Sequence, residues 1–246
     1  MPWLLLLSPL HAGEPVWPWD TTRGYQVHAQ MRYISVSGTW VNSKAAAFST
    51  ELRCGPGKGS ALSCTIGELS LETETQDSED PLLQLLAENL DGGTFTVKRS
   101  QRGRIRDVTD LTLPNAQPEI QRLFDRMVDF YGAEMRLFRA MLMCFDHQPP
   151  ADAAVAAGDR WVQRKNILLE HVMTDHTVTG LDGTVATIEE ASREGLTDAS
   201  ISGTYEIDAQ TGVLLSASRS ASWQIVYNQQ MDAFPGHYEA TCALLP

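Results

Sequence analysis

The sequence lacks any long hydrophobic run. No stretch approaches the roughly 20 apolar residues that a transmembrane helix needs, so no transmembrane segment is predicted. Positive charge is scarce as well: 19 lysines and arginines stand against 31 aspartates and glutamates, which gives a formal net charge of −12. Such an acidic chain repels nucleic-acid phosphates. Nucleic acid is therefore excluded as an expected partner.

The signature motifs of common catalytic and metal sites are missing. There is no GxSxG nucleophile elbow, no Rossmann glycine fingerprint and no CxxC pair. The closest histidines, His171 and His176, are five residues apart. On a strand, side chains at that spacing point to opposite faces, so these two cannot share an ion and are interpreted as surface histidines. No metal site and no cofactor are predicted.

Two pairs of carboxylates stand close together in the sequence, Glu189 with Glu190 and Asp107 with Asp110. General acid–base catalysis needs two such groups to converge in a cleft with different pKa values. In so acidic a chain, solvated surface carboxylates are the simpler interpretation. No catalytic residue is predicted, and we expect that the protein is not an enzyme.

Cysteine is limited to four residues. An even set in an oxidising compartment favours two disulfides, and we predict the pairs Cys54–Cys64 and Cys144–Cys242. The segment between the first pair, "RCGPGKGSALSC", is rich in glycine but departs from the GxxxxGK[ST] phosphate loop, since Lys58 precedes a glycine and a strand-like run follows. It is predicted to be a hairpin turn closed by a disulfide.

The first 12 residues, "MPWLLLLSPLHA", resemble a signal peptide cleaved after Ala12, and a buried N-terminal strand is the alternative. Residues 13–246 are then predicted to form one domain of a periplasmic or extracellular, exported protein.

Alternation of apolar and polar residues is the main structural pattern. From Gly24 to Ser37 it places Tyr25, Val27 and Ala29 on one face of a long strand. The segment around Gln101–Gly103 is predicted to be a hairpin turn. The other predicted strands are 47–53, 62–75, 94–98, 160–165, 168–179, 184–190, 200–207, 213–221 and 222–228.

One long amphipathic helix is predicted from about Pro118 to Met143, because apolar residues recur at steps of three and four. A shorter helix is predicted in "PLLQLLAENLDGG", ended by Gly92. The stripe of the long helix could be ordinary core, or it could line a hydrophobic cavity. The candidate cavity-lining residues are Phe124, Met127, Phe130, Tyr131, Met135, Phe138 and Met141.

These elements indicate an α+β fold that is mainly antiparallel β. We expect a strongly curved sheet or half-barrel of about ten or eleven strands, because a sheet with one apolar face must cover that face. The long helix is expected to pack across the concave side.

In its order of elements the chain resembles bacterial exported proteins of the LolA and LppX kind. "GDRW" at 158–161 and "SGTYEIDAQTGVLLSAS" at 202–218 resemble a strand start and a turn in exported β-rich bacterial families. The LolA-like resemblance implies a half-barrel that encloses a hydrophobic cavity for acyl chains. The expected function is non-enzymatic binding or carriage of a hydrophobic, lipid-like ligand in the cell envelope. The alternative is an accessory subunit of an envelope protein assembly, with a solid core and a protein partner.

Overall fold

A computed structural model describes most of the chain, and the structural statements below concern those residues. They are 21–37, 40–59, 61–75, 88–99, 105–127, 155–167, 170–193, 199–226 and 233–246.

The fold is a single sheet of eleven antiparallel strands. The sheet is open and curved, with β5 at one edge and β6 at the other, in the order β5-β4-β3-β2-β1-β11-β10-β9-β8-β7-β6. The strands are β1 (Arg23–Ser37), β2 (Trp40–Pro56), β3 (Leu62–Thr75), β4 (Thr94–Arg99), β5 (Ile105–Thr112), β6 (Arg160–Ile167), β7 (Glu170–Asp182), β8 (Val185–Ser192), β9 (Ser200–Asp208), β10 (Leu214–Val226) and β11 (Ala233–Leu244).

The mainly antiparallel β architecture and the strand number agree with the prediction. The two predicted strands at 213–221 and 222–228 are instead one strand, β10. The predicted strands also stop short of β11, which lies between β1 and β10 and joins the first strand of the sheet to its C-terminal strands. Pro235 and Gly236 interrupt the pattern at the start of β11 and hide it in the sequence.

Gly236 has a specific place in this register. It lies opposite Trp223 of β10, and a Cβ atom added at Gly236 would overlap the Trp223 indole ring. The glycine therefore provides room for a large buried side chain on the neighbouring strand and does not mark a break.

One face of the sheet is buried and largely apolar, because alternate residues of every strand point to the same side. This face continues through the register from β4 to β8. Its buried apolar residues include Tyr25, Val27, Ala29, Phe48, Leu52, Leu62, Ile66, Phe95, Val97, Ile188, Ile201, Tyr205, Ile207, Ala217, Ala221, Trp223 and Ala240.

The opposite face is polar. On it, Gln30 of β1 donates a hydrogen bond to the Glu239 carboxylate of β11, and His237 lies 3.2 Å from the same carboxylate. These two hydrogen bonds lower the pKa of Glu239, with His237 the larger cause. The alternation therefore separates a solvated face from an apolar one.

Helix α1 (Pro118–Met127) follows β5. The Leu113 backbone N–H donates to Gln121 Oε1 at 2.8 Å, and Gln121 Nε2 donates to the Leu111 carbonyl at 2.6 Å. The start of the predicted long helix is thus observed, but its continuation to Met143 lies outside the described residues. In the part of the chain that the structure describes, no helix is long and apolar enough to cross a membrane.

The predicted hairpin turn between β2 and β3 is confirmed. Cys54 and Cys64 are cross-strand neighbours and form a disulfide. Between them the Gly57 N–H donates to the Ala61 carbonyl at 2.9 Å, and Gly59 has a positive φ of 66°. Cys242 is also disulfide-bonded. Its predicted partner, Cys144, lies outside the described residues, so that pairing stays a prediction.

Both short motifs of the C-terminal half form turns at strand ends. In "GDRW", the Gly158 N–H donates to the Val178 carbonyl and the Val178 N–H donates to the Asp159 carbonyl, both at 2.9 Å. These bonds tie the start of β6 to β7. In the second motif, Asp208 opens the turn between β9 and β10, and Gly212 closes it with a φ of 69°.

Candidate functional site

A row of polar and aromatic side chains crosses the buried face between β6 and β10. Its members are register neighbours: Trp161 lies opposite His176, His176 opposite Glu190, Glu190 opposite Gly203, and Gly203 opposite Arg219. We call Trp161, His176, Glu190 and Arg219 the polar row. It runs from the edge strand β6 inward to β10, within a face that is otherwise mostly apolar.

An ion pair occupies the inner end of the polar row. Arg219 Nη2 lies 3.0 Å from Glu190 Oε2 and 3.2 Å from Oε1, and Arg219 Nε lies 3.1 Å from Oε2. The Glu190 side chain is fully buried and the Arg219 side chain is 6% exposed. Such a pair is held only if the attraction and hydrogen bonds offset the cost of removing both charges from water.

Tyr205 and Gly203 of β9 complete this end. The Tyr205 hydroxyl donates to Glu190 Oε2, and the Arg219 guanidinium carbon lies 5.9 Å from the centre of the Tyr205 ring, within cation–π range. A Cβ atom at position 203 would lie 2.9 Å from the Ser218 carbonyl oxygen and 3.4 Å from Glu190 Oε2. Glycine therefore leaves the space across which Arg219 reaches Glu190.

His176 links the ion pair to the edge of the sheet. Its Nε2 lies 3.0 Å from Thr174 Oγ1 and 3.6 Å from Glu190 Oε1. Its ring is stacked on that of Trp161, with 5.2 Å between centroids and 8° between planes. His176 is buried, whereas Trp161 is partly exposed at β6. The polar row thus leads from partly exposed to fully buried positions.

On the same buried face, away from the polar row, β1 contributes the buried phenol of Tyr25. Tyr25 of β1 is fully buried, and this burial raises the pKa of its hydroxyl far above the ordinary value, while the nearby Arg23 charge opposes the shift. Tyr25 therefore stays protonated at any physiological pH.

Neighbouring side chains already engage the Glu190 carboxylate, which accepts hydrogen bonds from Tyr205 and Arg219. Among the residues that the structure describes, no three histidine, cysteine, aspartate or glutamate side chains converge to hold a metal ion. What the polar row offers is a largely buried, hydrogen-bonding patch with an ion pair in it, within a mostly apolar face.

The structure describes little of the predicted cavity lining. Phe124 and Met127 belong to α1, and their side chains are not among those described. The other candidates lie outside the described residues, so cavity lining stays a prediction for all seven: Phe124, Met127, Phe130, Tyr131, Met135, Phe138 and Met141.

Two expectations from the sequence are wrong at the polar row. His176 was expected at the surface and Glu190 in a solvated pair, but both are buried and contact each other. Only Glu189, on the opposite face, is exposed. The position in the alternation indicates that these residues are buried. Glu190 lies two positions from Ile188, and Arg219 lies two positions from both Ala217 and Ala221, so each shares the face of those apolar residues.

Sequence comparisons yield no match: no family model and no curated protein is similar to this chain. Among solved structures, the fold resembles that of lipovitellin, in a structure concerned with lipid–protein interactions, with a TM-score of 0.57 and 11% sequence identity. The likeness covers 93% of this chain and 25% of the lipovitellin chain, so this chain spans about a quarter of that protein. At this identity it shows the fold alone.

A DUF1329 family protein from Desulfovibrio piger matches over 90% of this chain and 85% of its own. Its TM-score of 0.18 and identity of 7% carry no argument. No family model or sequence relative supports the resemblance to LolA and LppX, which therefore remains a prediction.

Proposed function

We propose that the protein binds or carries a hydrophobic, lipid-like ligand against the apolar face of its sheet, and that it does so without catalysis. The observation that carries this proposal is the face itself: an open, curved, eleven-stranded sheet with one continuous, largely apolar side. An extensive apolar surface of this kind favours the burial of acyl chains by the hydrophobic effect.

The likeness to lipovitellin supports the same proposal at the level of the fold, because the similar lipovitellin structure concerns lipid–protein interactions. The Cys54–Cys64 disulfide supports an exported location, since disulfides persist in oxidising compartments. We therefore place the proposed carriage of lipid in the cell envelope.

Native mass spectrometry of the protein purified from its own envelope, without detergent or reducing agent, provides the first test. We expect a lipid-sized adduct that is lost on collisional activation. A retained protein partner with no adduct would contradict the proposal and favour the accessory-subunit alternative.

A titration of delipidated protein with 1-decylpyrene provides the second test. We expect saturable binding with a 1:1 end point in pyrene fluorescence. The matched control is Val162→Ser, because Val162 is 37% exposed and pairs with Asp175 on the face opposite to Trp161 and His176. If Val162→Ser abolishes the binding, the probe is adsorbing to exposed apolar surface and the proposed site is wrong.

A further inference from the structure

Trp161 has a polar atom whose environment is unusual. Its indole Nε1 is buried, yet in the described part of the chain it has no hydrogen-bond acceptor. Buried indole N–H groups usually find an acceptor, and the cost of leaving one unpaired is comparable to a lost hydrogen bond. An acceptor oxygen supplied from outside the chain would remove that cost.

The place of Trp161 suits contact with a ligand. It lies on the edge strand β6 and is partly exposed, while its ring packs in parallel on His176 at 5.2 Å. A molecule that enters along this edge would meet the indole first and the Arg219–Glu190 pair behind it. The apolar residues of the same face continue beyond the pair toward β11 and β1.

The charge of the polar row limits the kind of group that fits beside it. Among the described residues of the polar row, one guanidinium and one carboxylate lie 3.0 Å apart and offset each other's charge. An ionised carboxylate or ammonium group brought to the same place would lose its hydration without a counter-charge, which is costly. An uncharged polar group would face no such penalty.

Resting on the proposed function, we propose that the ligand is an uncharged lipid with an ester or hydroxyl oxygen. The Trp161 Nε1–H group donates a hydrogen bond to that oxygen at the outer end of the polar row. The acyl chain extends from there over the apolar face.

Three probes with the same pyrenyl chain test this inference on the full-length protein. They are the monoacylglycerol of pyrenedecanoic acid, free pyrenedecanoic acid and 1-decylpyrene. Each is titrated at pH 8 against wild type, Trp161→Phe and Trp223→Phe. Phenylalanine keeps an aromatic ring on His176 but removes the N–H donor, and Trp223 is a matched tryptophan of the same buried face.

We expect Trp161→Phe to weaken binding of the monoacylglycerol about three- to tenfold, because one hydrogen bond is lost. Binding of 1-decylpyrene should stay unchanged. Trp223→Phe should change the affinity for the monoacylglycerol and the affinity for 1-decylpyrene by the same factor. On wild type, the ionised fatty acid should bind more weakly than the monoacylglycerol. Retained binding of 1-decylpyrene also shows that Trp161→Phe is folded.

Two results would overturn the inference. If Trp161→Phe weakens the binding of all three probes equally, or of none, the indole N–H does not contact the ligand. If the fatty acid binds wild type as tightly as the monoacylglycerol, the ligand class is wrong. If 1-decylpyrene itself fails to bind wild type, the proposed function fails first, and this outcome is distinct from the other two.

Discussion

Arg219 and Glu190 show how strongly a single buried charge depends on its partner. The two side chains form a close ion pair, and Tyr205 adds a further hydrogen bond to the carboxylate. Replacing one member of a buried pair leaves the other charge uncompensated, whereas replacing both with apolar residues is often neutral. Arg219→Ala should therefore cost about 3–5 kcal/mol of unfolding free energy.

Urea denaturation at neutral pH measures this change. The matched control is Glu189→Ala, because Glu189 is the exposed neighbour of Glu190, and such a surface substitution should stay within about 0.5 kcal/mol. The double variant Arg219→Met, Glu190→Leu should recover most of the loss. If Arg219→Ala proves as mild as the control, the pair is not buried as described.

The same residues mark the limit of sequence-based prediction. The alternation places Tyr25, Val27 and Ala29 on the buried face, as the sequence indicates. For His176 and Glu190 the prediction gives more weight to their polar residue type than to their position in the alternation. It therefore places both at the surface. Only the cross-strand register brings Glu190 opposite Gly203 and next to Arg219, and that register joins positions 29 residues apart.

At the scale of elements, a strand is predicted well when the residues of its two faces differ clearly in polarity. β3 has the predicted bounds, 62–75, because its apolar and polar residues alternate clearly. β10 was divided because its "SASRSAS" segment alternates only alanine and serine around a charged Arg219. In β11 the pattern is clear from Tyr238 onward, but Pro235 and Gly236 suggested a break.

The turn between β9 and β10 provides a prediction at this scale. The Asp208 carboxylate accepts hydrogen bonds from the Thr211 hydroxyl at 2.8 Å and from the Thr211 and Gln210 backbone N–H groups at 2.7 and 3.1 Å. The Thr211 side chain is the largest cause of a lowered pKa of Asp208. Asp208→Ala should lower the free energy of unfolding by about 1–2 kcal/mol at pH 7.

The sign of the pH dependence follows from the lowered pKa. The carboxylate stabilises the fold fully above its unfolded pKa of about 3.9, and this stabilisation is lost as the pH falls through the lower folded value. The difference in unfolding free energy between wild type and Asp208→Ala should therefore shrink from pH 7 to about pH 2. Asp182→Ala, in the exposed end of β7, is the control and should show no comparable loss at either pH.

At the scale of the whole molecule, β11 holds the sheet together. It pairs with β1 on one side and with β10 on the other, so it alone connects strands β1–β5 to strands β6–β10 within the described sheet. The β1–β11 pairs join residues about 200 positions apart, such as Tyr25 with Leu244. Contacts this distant in sequence form late in folding, because the chain must close a long loop first.

A chain that ends at residue 232 should therefore fail to fold. Without β11, the apolar faces of β1 and β10 lose their neighbour and two long strand edges are exposed, which favours aggregation. Circular dichroism and urea titration should show no cooperative transition. Removing only residues 245 and 246, which lie beyond β11, should preserve the transition with a small loss from the Leu245 N–H to Gly24 carbonyl bond of 2.9 Å.

The truncation also removes Cys242, so the loss of a disulfide must be separated from the loss of a strand. The full-length double variant Cys144→Ser, Cys242→Ser keeps β11 but lacks both thiols. Because the strand pairing persists, this variant should still unfold cooperatively at a lower urea midpoint. A cooperative transition in the chain that ends at residue 232 would mean that the two halves of the sheet fold independently, and β11 would then be a link between two stable units.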